Sequence, residues 1–128
     1  MSTIQKELKY TREHEWAGEA GGEWTVGITD YAQGELGDVV FVELPAQGRE
    51  LKAGESFGTI EAVKTVSDMY APVGGTVTAV NEALKDDPGL LNREPYGGGW
   101  IVKIKAGAGA GADLLDAAGY AALIGQSL

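Results

Sequence analysis

The chain has 128 residues and a formal net charge of -9, with 10 Lys and Arg against 19 Asp and Glu, no cysteine and one histidine. That length suits one domain, and the absence of thiols beside a lone imidazole excludes disulfides, thiolate nucleophiles and Cys/His metal centres, so any redox chemistry must arrive on a cofactor. The acidic balance disfavours nucleic acid and anionic membrane surfaces, and no stretch approaches the roughly 20 apolar residues of a membrane span.

Met1 to Lys9 is polar, with Leu8 its first core candidate. It has neither the apolar run of a signal peptide nor the Arg-rich, acid-poor character of a transit peptide. The expectation is a cytoplasmic bacterial protein, a mitochondrial matrix location requiring that a leader has been removed. Tyr10 to Ala17 alternates loosely. After a turn at Gly18 to Gly22, Trp24, Val26 and Ile28 share one face of a strand and Thr25 and Gly27 the other. Asp30 as N-cap, Gln33 three residues on and Gly37 as terminator predict a short helix over Tyr31 to Leu36.

Val39 to Leu44 is a dense β-branched and aromatic strand, followed by the turn Pro45-Ala46-Gln47-Gly48 into Leu51. A second Pro-x-x-Gly, Pro72 to Gly75, leads into Val77 in the same way, a hint of quasi-symmetric halves with Lys64 between them. In the segment between, Gly58, Ile60 and Ala62 share one face and Phe57, Thr59 and Glu61 the other; Ser67, Met69 and Ala71 then oppose Val66, Asp68 and Tyr70. Ala62 to Thr65 is left as the turn of a hairpin, without the Asn-Gly or Asp-Gly of primed turns and so of type I. Lys64 stands at its tip, flanked by Val63, Thr65 and Val66. Most exposed lysines are only solvated charges, but apolar flanks are a poor choice for solubility, and a stiff tip would present whatever the amine carried.

Asn81 to Leu91 contains a short helical turn broken by Pro88-Gly89, and Trp100 to Lys105 is a strand with Trp100, Val102 and Ile104 on one face. The Ala/Gly run at 106–112 suggests a flexible linker between a core over about 8–105 and a C-terminal helix over 113–126. Asp113 would cap that helix, and Leu114, Ala117, Ala121 and Ile124 would form its apolar stripe.

Several of these segments match one family. Glu61-Ala62-Val63-Lys64, Ser67-Asp68 and Tyr70-Ala71-Pro72 resemble the lipoyl-attachment segment of the glycine cleavage system H protein family. His14-Glu15-Trp16, Val26 to Gln33, Leu36 to Pro45, and Glu94-Pro95-Tyr96 with Gly99-Trp100-Ile101 are similar to the same family, so the resemblance runs nearly end to end. It implies a mainly β fold, a lipoyl/biotinyl-type barrel-sandwich hybrid with short helices and a C-terminal helix; strands and turns alone say only sandwich or barrel.

The resemblance further implies lipoate in amide linkage on Lys64, with Glu61 and Val63 beside the attachment point, and no catalytic residue or metal. Such a monomeric carrier is a shared substrate of other components rather than an enzyme. It takes the aminomethyl group of glycine from the pyridoxal-phosphate P protein to the tetrahydrofolate-dependent T protein, is reoxidised by the L protein, and meets lipoylating enzymes. The family folds its loaded arm into an acidic cleft, which by matching positions points to Glu15 and Asp68, with Glu13 as a third acid. Carboxylates there would keep the amine of the cargo protonated, and exclusion of water would add protection. The alternatives are a lipoate relay in lipoate assembly, or a biotin-type carrier, whose Met-Lys-Met signature is not matched by Val63 and Thr65. A Schiff-base lysine would need burial that a hairpin tip does not offer, and a swinging 2-oxoacid dehydrogenase domain would need Asp-Lys-Ala and a Pro/Ala linker.

Overall fold

A computed structural model describes residues 1–127; Leu128, the last position of the expected 1–128 span, lies outside them. Among the described residues nine strands form two antiparallel sheets, neither closed into a barrel. The larger has the order β1 (Lys9–Tyr10), β2 (Glu15–Ala20), β3 (Glu23–Ile28), β9 (Val102–Lys105), β8 (Gly75–Val80) and β5 (Glu50–Leu51). The smaller is β4 (Val39–Glu43), β6 (Ser56–Ala62) and β7 (Val66–Tyr70). Val26, Val77 and Ile104 of the first sheet and Val42, Ile60 and Met69 of the second belong to one buried cluster, so the sheets pack face to face. Each such side chain contributes about 1.5–3 kcal/mol of burial. The strands that the two Pro-x-x-Gly segments lead into pair with each other: Glu50 with Thr76 and Leu51 with Gly75.

In β6 the strand alternation is broken by a bulge. A register shift between Ser56 and Gly58 buries Phe57 on the core side as well as Gly58 and Ile60, so Phe57 does not share the outer face with Thr59 and Glu61. Ile101, expected to oppose the buried face of its strand, is fully enclosed because it lies just before β9, its N–H donating to the Val26 carbonyl. Gly27 answers a different need: a β-carbon there would stand 2.7 Å from the Trp16 ring.

Helix α1 (Asp30–Leu36) begins one residue earlier than its sequence signal. Thr29 is the N-cap, extended at φ -75 and ψ 164, and its hydroxyl accepts from Ala32 N–H at 3.1 Å. Asp30 instead sits in the first turn and accepts from Gln33 Nε2 at 2.8 Å. Gly37 ends the helix at φ 76, a conformation glycine adopts without penalty. Two one-turn helices, α2 (Ala83–Asp86) and α3 (Leu90–Arg93), flank Pro88-Gly89.

The C-terminal region departs most from expectation. Residues 106–112 do not hang free: Ala106 and Ala110 pack on the core, and Gly111 lies so close to Trp24 that a β-carbon would come within 2.6 Å of its ring. Helix α4 spans Ala117–Leu123, capped by Asp116, whose Oδ1 accepts from Gly119 N–H at 2.7 Å, and not by Asp113. Leu115 exchanges both backbone hydrogen bonds with Tyr10 at 2.8 Å, which holds the chain extended and prevents an earlier start. The buried face of α4 is Ala117, Tyr120 and Ala121; Ala117 and Tyr120 pack with Tyr10 and Trp16 in a second cluster, and Leu114 packs on the main core instead.

Candidate functional site

β6 and β7 meet in the hairpin whose tip carries Lys64. Ala62 N–H donates to the Thr65 carbonyl at 2.8 Å, and Val63 N–H to the Asp38 carbonyl at 3.0 Å, so the tip is tied both to itself and to the loop after α1. No residue from Ala62 to Thr65 has positive φ, which rules out a primed turn. Lys64 is exposed and makes neither an ion pair nor a hydrogen bond among the described residues. Its stem lies over Gly37, where a β-carbon would stand 3.5 Å from Cε and 3.6 Å from Nζ. The Gly37 loop is itself fixed by Asn92 of α3, whose Nδ2 donates to the Gly37 carbonyl at 2.8 Å and whose Oδ1 accepts from Val39 N–H at 2.9 Å. An exposed, unpaired amine thus stands on a base held by backbone hydrogen bonds.

Helix α1 leads from Gly37 into a cleft of about 260 Å³. Tyr31, Ala32, Glu35 and Leu36 form one wall, positions that share a helix face at spacings of one, three and four. Glu13 and His14 line it from the turn before β2, Glu15 from the first position of β2, and Ser67 and Asp68 from β7, with Ile28 and Ile60 supplying further apolar surface. The pairing of Glu15 with Ile28 across β2 and β3 brings the acid to this place.

Glu15 is 2% exposed, yet both carboxyl oxygens are engaged: Oε1 accepts from the Thr11 hydroxyl at 2.6 Å, Oε2 from Tyr70 N–H at 3.3 Å. Burial still outweighs these bonds and pushes its pKa up to about 7. His14 has φ 71, the one non-glycine residue among those described with a positive value. Burial lowers its pKa, favouring the neutral ring.

The sequence candidates therefore divide into two groups. Glu13, Glu15 and Asp68 converge on the cleft, while Glu61 and Val63 stay with Lys64 at the tip. Glu61 lies between Phe41 and Val66 in a row across the outer face of the small sheet. Tyr31, Glu35 and Asn92 had not been singled out; the helix-face spacing of Tyr31 and Glu35 was the available signal, and Asn92 offered none.

The family model described as Glycine cleavage H-protein matches residues 8–126. The chain is 59% identical over 128 residues to glycine cleavage system H protein 2 of Pseudomonas putida, covering 98% of this chain and 100% of that one. It is 55% identical over 118 residues to the glycine cleavage system H protein of Bacteroides thetaiotaomicron, covering 91% and 94%. A crystal structure of a glycine cleavage system H protein from Mycobacterium marinum superposes with a TM-score of 0.88 at 42% identity, covering 95% of this chain and 99% of that one.

Proposed function

The chain belongs to the glycine cleavage H-protein family, and from that premise we propose that Lys64 is the residue on which it carries lipoate and that the Glu15 cleft shelters the end of the loaded arm. The protein is a carrier of the glycine cleavage system, a shared substrate rather than a catalyst. The observation that carries the assignment is the unpaired, exposed amine at a hairpin tip, its stem lying over Gly37 at the end of the helix that walls the cleft.

The residues present fit the cofactor. Lys64 offers a nitrogen free for amide formation, and Ile28, Ala32, Leu36 and Ile60 offer apolar surface to an aliphatic arm. When attached, lipoate would supply a disulfide that opens to take up a one-carbon amine cargo and is left as a protein-bound dithiol, for the L protein to reoxidise, once that cargo has been passed on; the polypeptide contributes presentation and shelter. Tethering also raises the local concentration of the arm at whichever partner has docked.

Glu15 and Asp68 would meet the cationic end of the cargo, with Glu13 at the rim, holding the amine protonated and its lone pair out of reaction. A cation arriving beside Glu15 would in turn draw the proton off that carboxyl. Glu61 and Val63 would be read by the lipoylating enzymes. The partners are the P, T and L proteins of the system, met by a monomer in the cytoplasm. No helix among the described residues is long and apolar enough to cross a membrane.

Peptide mapping and intact mass of protein expressed with lipoate test the assignment. The expected result is a single lipoyl group on Lys64. Lipoate on Lys52, Lys85, Lys103 or Lys105, or on no lysine, would overturn it.

A further inference from the structure

The C-terminal helix carries a side chain that reaches toward the cleft from behind. Tyr120 is fully buried, its ring stacked on Tyr10 with centroids 4.6 Å apart and planes 11° from parallel. Its hydroxyl stands 2.7 Å from Thr29 Oγ1 and 2.8 Å from His14 Nδ1. Those two partners are neighbours, Thr29 N–H donating to the His14 carbonyl at 3.1 Å, and each leads into residues that line the cleft. Thr29 is the N-cap of α1, whose Tyr31, Ala32, Glu35 and Leu36 form one wall; His14 lies between Glu13 and Glu15, which also line the cleft.

Proton accounting gives the chain of bonds a direction. Thr29 Oγ1 already accepts from Ala32 N–H, so its own proton is free to go to Tyr120, and the Tyr120 proton then goes to Nδ1 of a neutral His14. In the reverse direction the Thr29 hydroxyl, 0% exposed, would be left with a proton and no acceptor among the described residues. The forward direction requires the Nε2–H tautomer of His14, and it is consistent with burial holding that ring neutral. It also accounts for the positive φ of His14. A backbone conformation that costs of order 1–3 kcal/mol persists only where its surroundings over-determine it. Here Thr29 N–H donates to the His14 carbonyl at 3.1 Å and the ring is anchored at Nδ1.

We propose that Tyr120 is a positioning residue for the cleft: its hydroxyl locks His14 in the Nε2–H tautomer and pins the Glu13–Glu15 turn to the cap of α1, so that the C-terminal helix sets the spacing of the cleft walls. The proposal rests on the cleft reading above for its functional consequence, but its structural half stands on the unlipoylated protein.

His14 is the only histidine in the chain, so one set of ring-nitrogen resonances reports the tautomer without assignment work. The long-range proton–nitrogen spectrum of the unlipoylated wild type is expected to show Nδ1 unprotonated and Nε2 protonated. In Tyr120→Phe, which keeps the stack on Tyr10, the two tautomers should mix; in Thr29→Ser, which keeps the hydroxyl, the wild-type pattern should survive. Loss of cargo from the loaded Tyr120→Phe protein, followed as formaldehyde and ammonia without T protein, should quicken about fivefold, the worth of one net hydrogen bond.

An Nδ1–H tautomer in the wild type would overturn the proposal whether or not the variant folds. So would a folded Tyr120→Phe protein with wild-type cargo lifetime. Failure of the cleft reading is separately visible, because Glu15→Gln with Asp68→Asn would then leave the lifetime unchanged.

Discussion

Lys64 and Glu15 are both ionisable side chains on which the proposed function depends, yet their surroundings are opposite. Lys64 is exposed and unpaired among the described residues, on a tip fixed only through its backbone; Glu15 is buried, both its oxygens are hydrogen-bonded, and its pKa is moved to about 7. The difference follows from what each must do. An attachment point has to enter other active sites, so neighbours would obstruct it. A sheltering acid has to act where water is excluded, and there an unpartnered carboxylate would be too costly to keep. Tip residues should therefore be separable from stability, and cleft residues should not.

The largest expected effect tests the first half. Lys64→Arg keeps the charge and removes the acylable amine, so lipoylation and glycine-dependent turnover in the reconstituted system should fall to background. Its stability should stay within about 0.5 kcal/mol of wild type, as for an exposed residue without partners. Residual turnover, or a melting temperature that drops by several degrees, would mean that the tip is either not the attachment point or not independent of the core.

Next in size is the paired change Glu15→Gln and Asp68→Asn. Lipoylation of Lys64 should proceed normally, because neither residue lies at the tip. The loaded arm should lose its cargo about tenfold faster, the order expected for losing a hydrogen bond to a charged group, and most clearly at alkaline pH. Release of formaldehyde and ammonia at the wild-type rate, measured without T protein, would remove the cleft from the account and leave the carrier role intact.

The same contrast explains what the amino-acid sequence could convey. The hairpin is local: two runs of period 2 with a lysine between them can be read within 15 residues, and only the bulge that buries Phe57 escapes the pattern. The cleft is assembled from segments around 13–15, 28–36 and 60–68, joined by the Glu15–Ile28 register and by Tyr70 N–H reaching Glu15 across the two sheets. Nothing near Glu15 in the chain distinguishes it from the other acids, and matching positions in the family were what pointed to it and to Asp68. The helix ends were ambiguous for another reason. Asp113 and Asp116 are equally good caps, as are Thr29 and Asp30, and non-local partners decided between them: Tyr10 for the Leu115 backbone, Tyr120 for the Thr29 hydroxyl.

The effect of Glu15 alone is read as a dependence of stability on pH. Burial raises its pKa from 4.5 to about 7, so the folded protein holds the proton more tightly than the unfolded chain. Below pH 4.5 both states are protonated and the neutral carboxyl contributes its full stability. As pH rises toward 7 the unfolded chain gives up the proton while the folded one retains it against a growing cost, and the contribution is lost, to about 3 kcal/mol in all. His14 runs the other way, its lowered pKa weakening the fold as pH falls, so the measurement is the difference between wild type and Glu15→Gln. Urea unfolding at intervals from pH 4.5 to 8 should show the wild type losing ground to the variant through this window. Parallel curves would mean that Glu15 is already ionised in the folded state, balanced by its bonds to Thr11 and Tyr70. The loaded protein sharpens the point further: a cation beside Glu15 favours the charged carboxyl, so the wild-type slope should flatten once the arm carries its amine, and it should not flatten if that amine stays in solvent.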